Sequence, residues 1–411
     1  MPSSIGVRLS VMMFLNYVVW GAWYVTIGTW LTATLKFSGT QTGAVFGTAA
    51  LACMISPLIV GLVADRWFAT ERVLSALHLI GAVLLYLVAQ ATTFPAVYAL
   101  MLAYSLCFFP TIPLTNSLTL RNITDAPSQF PLIRVFATIG WIAISLVIGR
   151  LGVEASSKQF LIAAGCSLAM SLFSLTLPHT PPAGSGSKAT WRGLLGLDAL
   201  VMMKQRSFLV FVVASVLACI PLTFYFSFTN AYLNEVGVQN AAGKMSLGQV
   251  SEVGVMLLMP LIYRRFSLKS ILLLGLIAWS VRYALLALGN AGPQVWMFYA
   301  AILLHGVCFD FFFMTGQLYT DQEAPPHLRS TAQGFLTFVT YGVGMFTGSV
   351  LSGIAVDFFT ATGPGGALTR NWNGFWLSSG AGAFCIFLLV VFLFHSKKGV
   401  QTKPEPAIAR A

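Results

Sequence analysis

The chain has 411 residues, of which 57% are hydrophobic and only 9% are charged. Soluble domains carry about a quarter charged residues, so this composition excludes an ordinary soluble protein and indicates an integral membrane protein. The formal net charge of +11 could favour nucleic-acid binding, but the placement of the positive residues described below argues against such a partner.

Apolar runs of about 20 residues, long enough to cross a bilayer, recur along the whole chain. Such runs predict an all-α integral membrane fold, because a helix satisfies its own backbone hydrogen bonds inside lipid. The first run is too long for a signal-peptide core, so we expect it to be retained. Twelve runs are predicted, at about 8–32, 40–64, 73–93, 96–119, 131–151, 158–177, 207–234, 245–265, 269–289, 294–319, 328–358 and 373–395.

Lysine and arginine are distributed unevenly between the two sides of such a membrane. With both termini on one side, 16 of the 23 fall in the even-numbered turns and the tails, 5 fall on the opposite side, and Arg134 and Arg282 lie within spans. Positive residues accumulate in cytoplasmic loops. We therefore predict a multi-pass protein of the cell (inner) membrane with both termini in the cytoplasm.

A Pro-, Gly- and Ser-rich segment, residues 178–190, divides six runs from six. Residues 191–206 follow, with an apolar face between basic ends that is typical of a helix lying in the membrane interface. Two related halves are common in secondary transporters. The predicted organisation is a six-helix bundle over 1–177, a cytoplasmic linker with the interfacial helix over 178–206, a second six-helix bundle over 207–396 and a cytoplasmic tail over 397–411.

The turn after the second run, GLVADRW, contains Gly61, Asp65 and Arg66. A glycine allows two helices to approach closely, and Asp65 can cap a helix start or pair with an arginine. The turn resembles the G-x-x-x-D-R-x-G-R-R loop of the major facilitator superfamily, with Trp67 and Phe68 replacing the residues around its second glycine. We interpret it as a conformational latch, and the alternative is a simple charged turn.

The fifth run carries Arg134, Thr138 and Trp141 at positions i, i+4 and i+7, which share one helix face. A cation, a hydroxyl and an aromatic plane on one stripe suit a flat, polar, uncharged ligand. The alternative is an arginine that snorkels to the cytoplasmic surface beside a core tryptophan.

The eighth run places Gln249 and Glu252 on one face, three residues apart. Two side chains with several hydrogen-bonding atoms, close together inside a membrane, are typical of a pair that binds hydroxyl groups. The alternative is a hydrogen bond between two helices. Polar residues of the seventh run, among them Asn230, have the same two interpretations.

The tenth run contains LLHGVCFDFFF, residues 303–313, in which His305 and Asp310 interrupt an apolar helix. A charged side chain at the centre of a bilayer costs about 2.5–3.5 kcal/mol on insertion scales, so the carboxyl is expected to be paired, protonated or both. We predict that Asp310 carries the proton of a membrane transporter. Arg282 of the ninth run is a natural partner for either residue, and the alternative is a purely structural ion pair.

The sequence contains no Walker loop, no HExxH motif and no nucleophile elbow. We therefore expect neither an enzyme nor an ATP-driven pump. We expect no cofactor and no bound metal, with a proton gradient as the energy source.

Taken together, these stretches resemble the nucleoside/proton symporters of the major facilitator superfamily, typified by the bacterial nucleoside permeases. The likeness covers nearly the whole chain. The stretches that carry it include WGAWYVTIG (20–28), FPLIRVFATIGW (130–141), GQVSE (248–252), AWSVRYALLALG (278–289), CFDFF (308–312) and RSTAQG (329–334).

The resemblance implies a twelve-helix major facilitator fold with two six-helix halves that couples nucleoside uptake to protons. It implies that the Arg134 stripe lines the site, that Gln249 and Glu252 hold the ribose, and that Phe309 and Asp310 match the family's F-D pair, with Asp310 the proton-linked acid.

The chain also departs from the family pattern at three positions. His305 stands where the nucleoside permeases have tyrosine, and Thr223 and Phe226 replace a polar glutamine and asparagine, whereas Asn230 is retained. These changes put the preferred substrate in question more than the mechanism.

The sequence therefore predicts a proton-coupled nucleoside importer that works by alternating access as a monomer among membrane lipids. One alternative is a proton-coupled sugar or glycoside symporter of the same fold, because Arg282, His305 and Asp310 resemble the Arg, His and acid set of lactose permease. Another is a sensor that binds ligand without moving it, although the long cytoplasmic domain of a sensor is absent from the sequence.

Overall fold

The structure is a computed structural model that describes residues 3–59, 68–182, 196–363 and 368–395. The predicted latch residues Gly61, Asp65 and Arg66 lie outside these residues, as do the start of the predicted interfacial helix and the tail 397–411. Helices of the N-terminal half are α1 (Ser3–Gly21), α2 (Ile27–Thr29) with a π-helical continuation (Trp30–Thr34), α3 (Gly39–Ile59), α4 (Thr70–Gln90), α5 (Phe94–Phe108), α6 (Thr111–Arg121), α7 (Ala126–Leu151) and α8 (Lys158–Ser174).

The C-terminal half follows a 3-10 helix at Leu197–Lys204. Near its end a short antiparallel hairpin pairs β1 (Thr360–Thr362) with β2 (Leu368–Arg370), with Ala361 opposite Thr369. Its helices are α9 (Arg206–Glu235), α10 (Ala241–Met245), α11 (Leu247–Arg265), α12 (Leu268–Leu288), α13 (Val295–Phe309), a π-helical turn (Asp310–Met314), α14 (Thr315–Glu323), a 3-10 turn (Pro326–Leu328), α15 (Arg329–Thr337), a π-helical segment (Phe338–Gly344), α16 (Met345–Phe358) and α17 (Trp372–Leu393).

Where the structure describes it, each of the twelve predicted apolar runs overlaps one helix or consecutive helices. Within the described residues, ten spans are long and apolar enough to cross a membrane. The other two predicted spans correspond to α3, which ends where the description stops, and to α8, which has 17 residues. The all-α integral membrane fold is confirmed.

Local sequence signals define the ends of α7, the helix that carries the predicted binding stripe. Asp125 caps its start, because the carboxylate accepts a hydrogen bond from the backbone N–H of Ser128 at 3.4 Å. Gly152 ends it in the left-handed conformation, with φ 63°.

The two halves pack together through glycines at one end of the bundle. A Cβ added to Gly43 of α3 would meet the Ser349 carbonyl oxygen of α16, and one added to Gly28 of α2 would meet the Ser227 carbonyl oxygen of α9. Only glycine permits so close a backbone approach. We call this region, which includes Gly39, Glu154, Asn230 and Asp357, the contact end.

Candidate binding and coupling site

Asp310 begins the π-helical turn between α13 and α14. Such turns are frequent at functional sites, because the extra residue shifts the faces of the helix on either side. The side chain of Asp310 is 3% exposed, and its Oδ2 has no hydrogen-bond partner among the described residues. Glu252 is near enough to interact with it electrostatically.

Arg282 on α12 is fully buried and bonds to His305 on α13, with 3.2 Å between Nη1 and Nδ1. Its guanidinium carbon lies 3.5 Å from the centroid of the Tyr225 ring, a cation–π contact. Its Nε and Nη2 have no hydrogen-bond partner in the part of the chain that is described. The sequence offers Asp310 and His305 as partners for Arg282, and in the structure Arg282 bonds directly to His305.

His305 lies among aromatic rings. It stacks on Tyr225 at 5.6 Å and on Phe309 at 5.8 Å between ring centroids, and Phe226 meets its edge at 5.8 Å. Its Nε2 lies 3.7 Å from Oε2 of Glu252. The ring therefore connects the buried arginine to the carboxylate on α11.

Arg134 of the N-terminal half lies near Glu252 of the C-terminal half. Arg134, on α7, donates a hydrogen bond of 2.6 Å to the hydroxyl of Tyr17, and its guanidinium carbon lies 4.6 Å from the centroid of the same ring. It also attracts Glu252 of the other half electrostatically. The side chain of Glu252 is 32% exposed, so it remains open to a ligand.

Trp141 and Gln249 line a narrow cleft between the halves. Trp141 meets Trp20 edge-on at 5.0 Å between ring centroids. Thr138 is half-buried one turn before Trp141 on α7. The other residues that line the cleft are Val25, Ser145, Tyr225, Phe226, Ala242, Met245 and Ser246.

Asn230 lies at the contact end rather than in the Arg134–Glu252 cluster. Its Nδ2 donates to Oε2 of Glu154 at 2.8 Å, and its Oδ1 accepts a hydrogen bond of 2.5 Å from the Thr29 hydroxyl. Thr29 and Glu154 belong to the N-terminal half, so Asn230 joins the two halves. Of the remaining predicted binding residues, Trp141 and Gln249 line the cleft, and Arg134, His305 and Phe309 lie around Glu252.

Glu154 is the centre of the polar contacts at this end. It is 4% exposed, and besides Asn230 it accepts hydrogen bonds from Nδ2 of Asn234 at 2.8 Å and from the backbone N–H of Ala242 at 3.0 Å. A charged group with three donors is well compensated in a buried site.

A second acid crosses between the halves at the contact end. The carboxylate of Asp357, on α16, accepts hydrogen bonds from the backbone N–H of Gly39 at 2.6 Å and of Thr40 at 2.7 Å. It therefore caps the start of α3, a helix of the opposite half.

Sequence reasoning missed Tyr17 and Trp20 of α1 and Tyr24 in the turn after it, which lie around Arg134 and Trp141. The spacing of Tyr17 and Trp20 at i and i+3 on one helix face was the available signal. Glu154 and Asp357 were missed because no local pattern marks a contact between halves. Within the described residues, no group of three or more His, Cys, Asp or Glu side chains could hold a metal ion.

Comparisons with known proteins identify the family of this chain. The family model described as nucleoside H+ symporter matches residues 3–399. YegT of Escherichia coli (strain K12) is 40% identical over 397 residues, which cover 94% of this chain and 93% of YegT. The xanthosine permease of the same organism is 33% identical, covering 96% of each chain.

Solved structures agree as well. The crystal structure of the nucleoside transporter NupG has a TM-score of 0.88 and 31% identity, covering 97% of this chain and 100% of that one. The peptide transporter POT, at 13% identity and a TM-score of 0.73, shares the fold. This chain therefore belongs to the nucleoside H+ symporter family and has the major facilitator fold.

Proposed function

We propose that this protein imports nucleosides together with protons by alternating access. It acts as a monomer in the cell (inner) membrane, with both termini in the cytoplasm, and it is a transporter without enzymatic chemistry or a cofactor. One observation carries the proposal: Arg134 of one half and Glu252 of the other are near enough to interact electrostatically, and Gln249, one helical turn from Glu252, lines an aromatic cleft between the halves. A ligand held between them touches both moving halves.

The proposed binding site has two unlike ends, as a nucleoside has. Trp141 and Phe309 offer flat apolar surfaces for the base, with Arg134 and Thr138 as donors beside it. Gln249 and Glu252 offer acceptors for the ribose hydroxyls. A site built to bond hydroxyls rejects ligands that lack them, because its own polar groups would be left unpaired.

Asp310 carries the coupled proton, with Arg282 in the same buried region. Two carboxylates inside a low-dielectric site repel each other. A proton on Asp310 therefore favours the charged form of Glu252, the form that accepts hydrogen bonds from ligand hydroxyls. Binding of the proton and binding of the nucleoside then support each other.

Alternating access follows from the closing and opening of the contact end. It lies at the end of α9 opposite Arg206, and the proposed orientation turns it towards the outside. Closure by Glu154 and Asp357 corresponds to a state that opens inwards. Rocking of the bundles 1–177 and 207–396 about the site must break these bonds to admit ligand from outside.

A proton-coupled sugar symporter is the second candidate, favoured by the bond between Arg282 and His305 near Asp310. Uptake by purified protein in proteoliposomes with an imposed inward proton gradient separates the two. We expect accumulation of uridine or adenosine, abolished by a protonophore, and little uptake of uracil or of disaccharides. Preferential uptake of a disaccharide, or equal uptake of uracil and uridine, would contradict the nucleoside proposal.

A further inference from the structure

The bond between Arg282 and His305 determines where the imidazole ring carries its proton. An arginine side chain has only donors, so Nδ1 of His305, 3.2 Å from Nη1, must accept. A proton on Nδ1 would place two N–H groups against each other. The ring proton is therefore on Nε2.

That Nε2–H faces the carboxylate of Glu252, at 3.7 Å from Oε2. The distance exceeds that of a direct hydrogen bond. A hydroxyl group is both donor and acceptor, so one hydroxyl lying beside the pair can accept from Nε2–H of His305 and donate to Glu252. Neither a methylene nor a carbonyl can satisfy both groups.

The surrounding packing holds this pair in place. A Cβ added to Gly306 of α13 would lie 2.6 Å from the backbone of Ser251 on α11, so the two helices approach closely beside Glu252 and His305. The stacking of His305 on Tyr225, which itself lies under the Arg282 guanidinium, fixes the plane of the ring. Contacts with the buried residues Tyr225 and Arg282 thus set both the orientation of the His305 ring and the position of its proton.

We propose that Arg282 is a positioning residue for substrate recognition: through His305 it maintains a donor beside the Glu252 acceptor, and the pair grips one ribose hydroxyl of the ligand. This inference rests on the proposed function, in which Glu252 contacts the nucleoside. It assigns Arg282 a role in ligand selection that is separate from any pairing with Asp310.

The test compares dissociation constants for a ribonucleoside with those for its 2′-deoxy and 3′-deoxy analogues, measured by calorimetry on purified protein. The wild type should prefer the ribonucleoside to one of the analogues. His305→Leu and Arg282→Gln should each reduce that preference about tenfold, which corresponds to one lost hydrogen bond. His305→Gln should keep it, because its amide offers an acceptor and a donor side by side.

The double variant Arg282→Gln/His305→Leu should lose no more preference than His305→Leu alone, since Arg282 acts through the ring. His78→Leu, which alters a buried histidine bonded to Asn16 and Ser167 in the other half, is the matched control and should leave the preference unchanged. If Arg282→Gln does not fold, the inference is tested by comparing the preference for the ribonucleoside in His305→Gln with that in His305→Leu.

Three results would overturn the inference. The first is that His305→Leu and Arg282→Gln weaken binding of the ribonucleoside and of both deoxy analogues equally. The others are additive losses of preference in the double variant and a loss of preference in His305→Gln. A wild type that binds nucleosides without a hydroxyl preference would overturn it as well, while leaving the proposed function intact. A wild type that binds no nucleoside would instead refute the proposed function.

Discussion

The side-chain amide of Asn230 donates a 2.8 Å hydrogen bond to the carboxylate of Glu154, across the boundary between the two halves. Glu154 follows α7, and Asn230 lies near the end of α9. Because the bond links elements that must separate when this end opens, its strength contributes directly to the balance between the two access states.

Glu154→Gln should favour opening of the contact end. The variant loses the charge that three donors now stabilise, and a hydrogen bond to a charged group is worth about 1.5–3 kcal/mol. We expect the ratio of molecules with an open contact end to those with a closed one to rise about tenfold. Pulsed electron paramagnetic resonance measures this ratio as the share of longer distances between spin labels at Lys158→Cys and Gln239→Cys, in a protein whose accessible native cysteines have been replaced.

Glu235→Gln is the matched control for this shift. Glu235 pairs with Arg370 within the C-terminal half, so the same chemical change should leave the label distances unaltered. An unchanged distance distribution in Glu154→Gln would contradict the assigned role of Glu154.

Asp310→Asn should bind nucleoside but fail to accumulate it. The amide cannot exchange a proton, whereas the Arg134 stripe and the Glu252 pair remain intact. Proteoliposome uptake should show exchange of labelled nucleoside without accumulation above the outside concentration, and a pH-sensitive dye should record no proton entry with the substrate.

Asp321→Asn, on α14 beyond the buried turn, is the control for Asp310→Asn and should transport normally. Undiminished uphill uptake by Asp310→Asn would show that the coupling proton binds elsewhere.

Glu252→Gln should weaken ribonucleoside binding by about 10- to 150-fold, which corresponds to about 1.5–3 kcal/mol for a hydrogen bond to a charged group. Gln249→Ala should weaken it by about 2- to 12-fold, because the Gln249 amide is neutral and a neutral hydrogen bond contributes about 0.5–1.5 kcal/mol. Competition uptake with uridine and uracil measures the effect, and the advantage of uridine over uracil should shrink in both variants.

Ser251→Ala is the neighbouring control on α11. Its hydroxyl bonds to the Leu303 carbonyl of α13 and is placed in a helix contact rather than in the cleft. Equal losses in Ser251→Ala and Glu252→Gln would indicate a packing effect and not ligand recognition.

The orientation is tested with two exposed lysines on opposite sides of the proposed membrane. Lys204→Cys, in the 3-10 helix before α9, should resist an impermeant thiol reagent applied to intact cells. Lys158→Cys, at the start of α8, should react. The reverse pattern would place the termini outside, against the distribution of positive charge.

The sequence by itself determined the helices, their approximate bounds and the family. Membrane insertion depends on the summed transfer free energy of neighbouring side chains, which is a local property of each run. The stripe of Arg134, Thr138 and Trp141 and the pair of Gln249 and Glu252 were likewise visible, because helical spacing alone places each set on one face.

Tertiary structure decided which groups meet. Arg282 could pair with Asp310 or His305 from the sequence, and the depth and rotation of α12 against α13 selected His305. The same kind of long-range geometry placed Asn230 beside Glu154 at the contact end. Hydrogen bonds require distances near 3 Å between residues far apart in the chain, and only the packing of whole helices sets those distances.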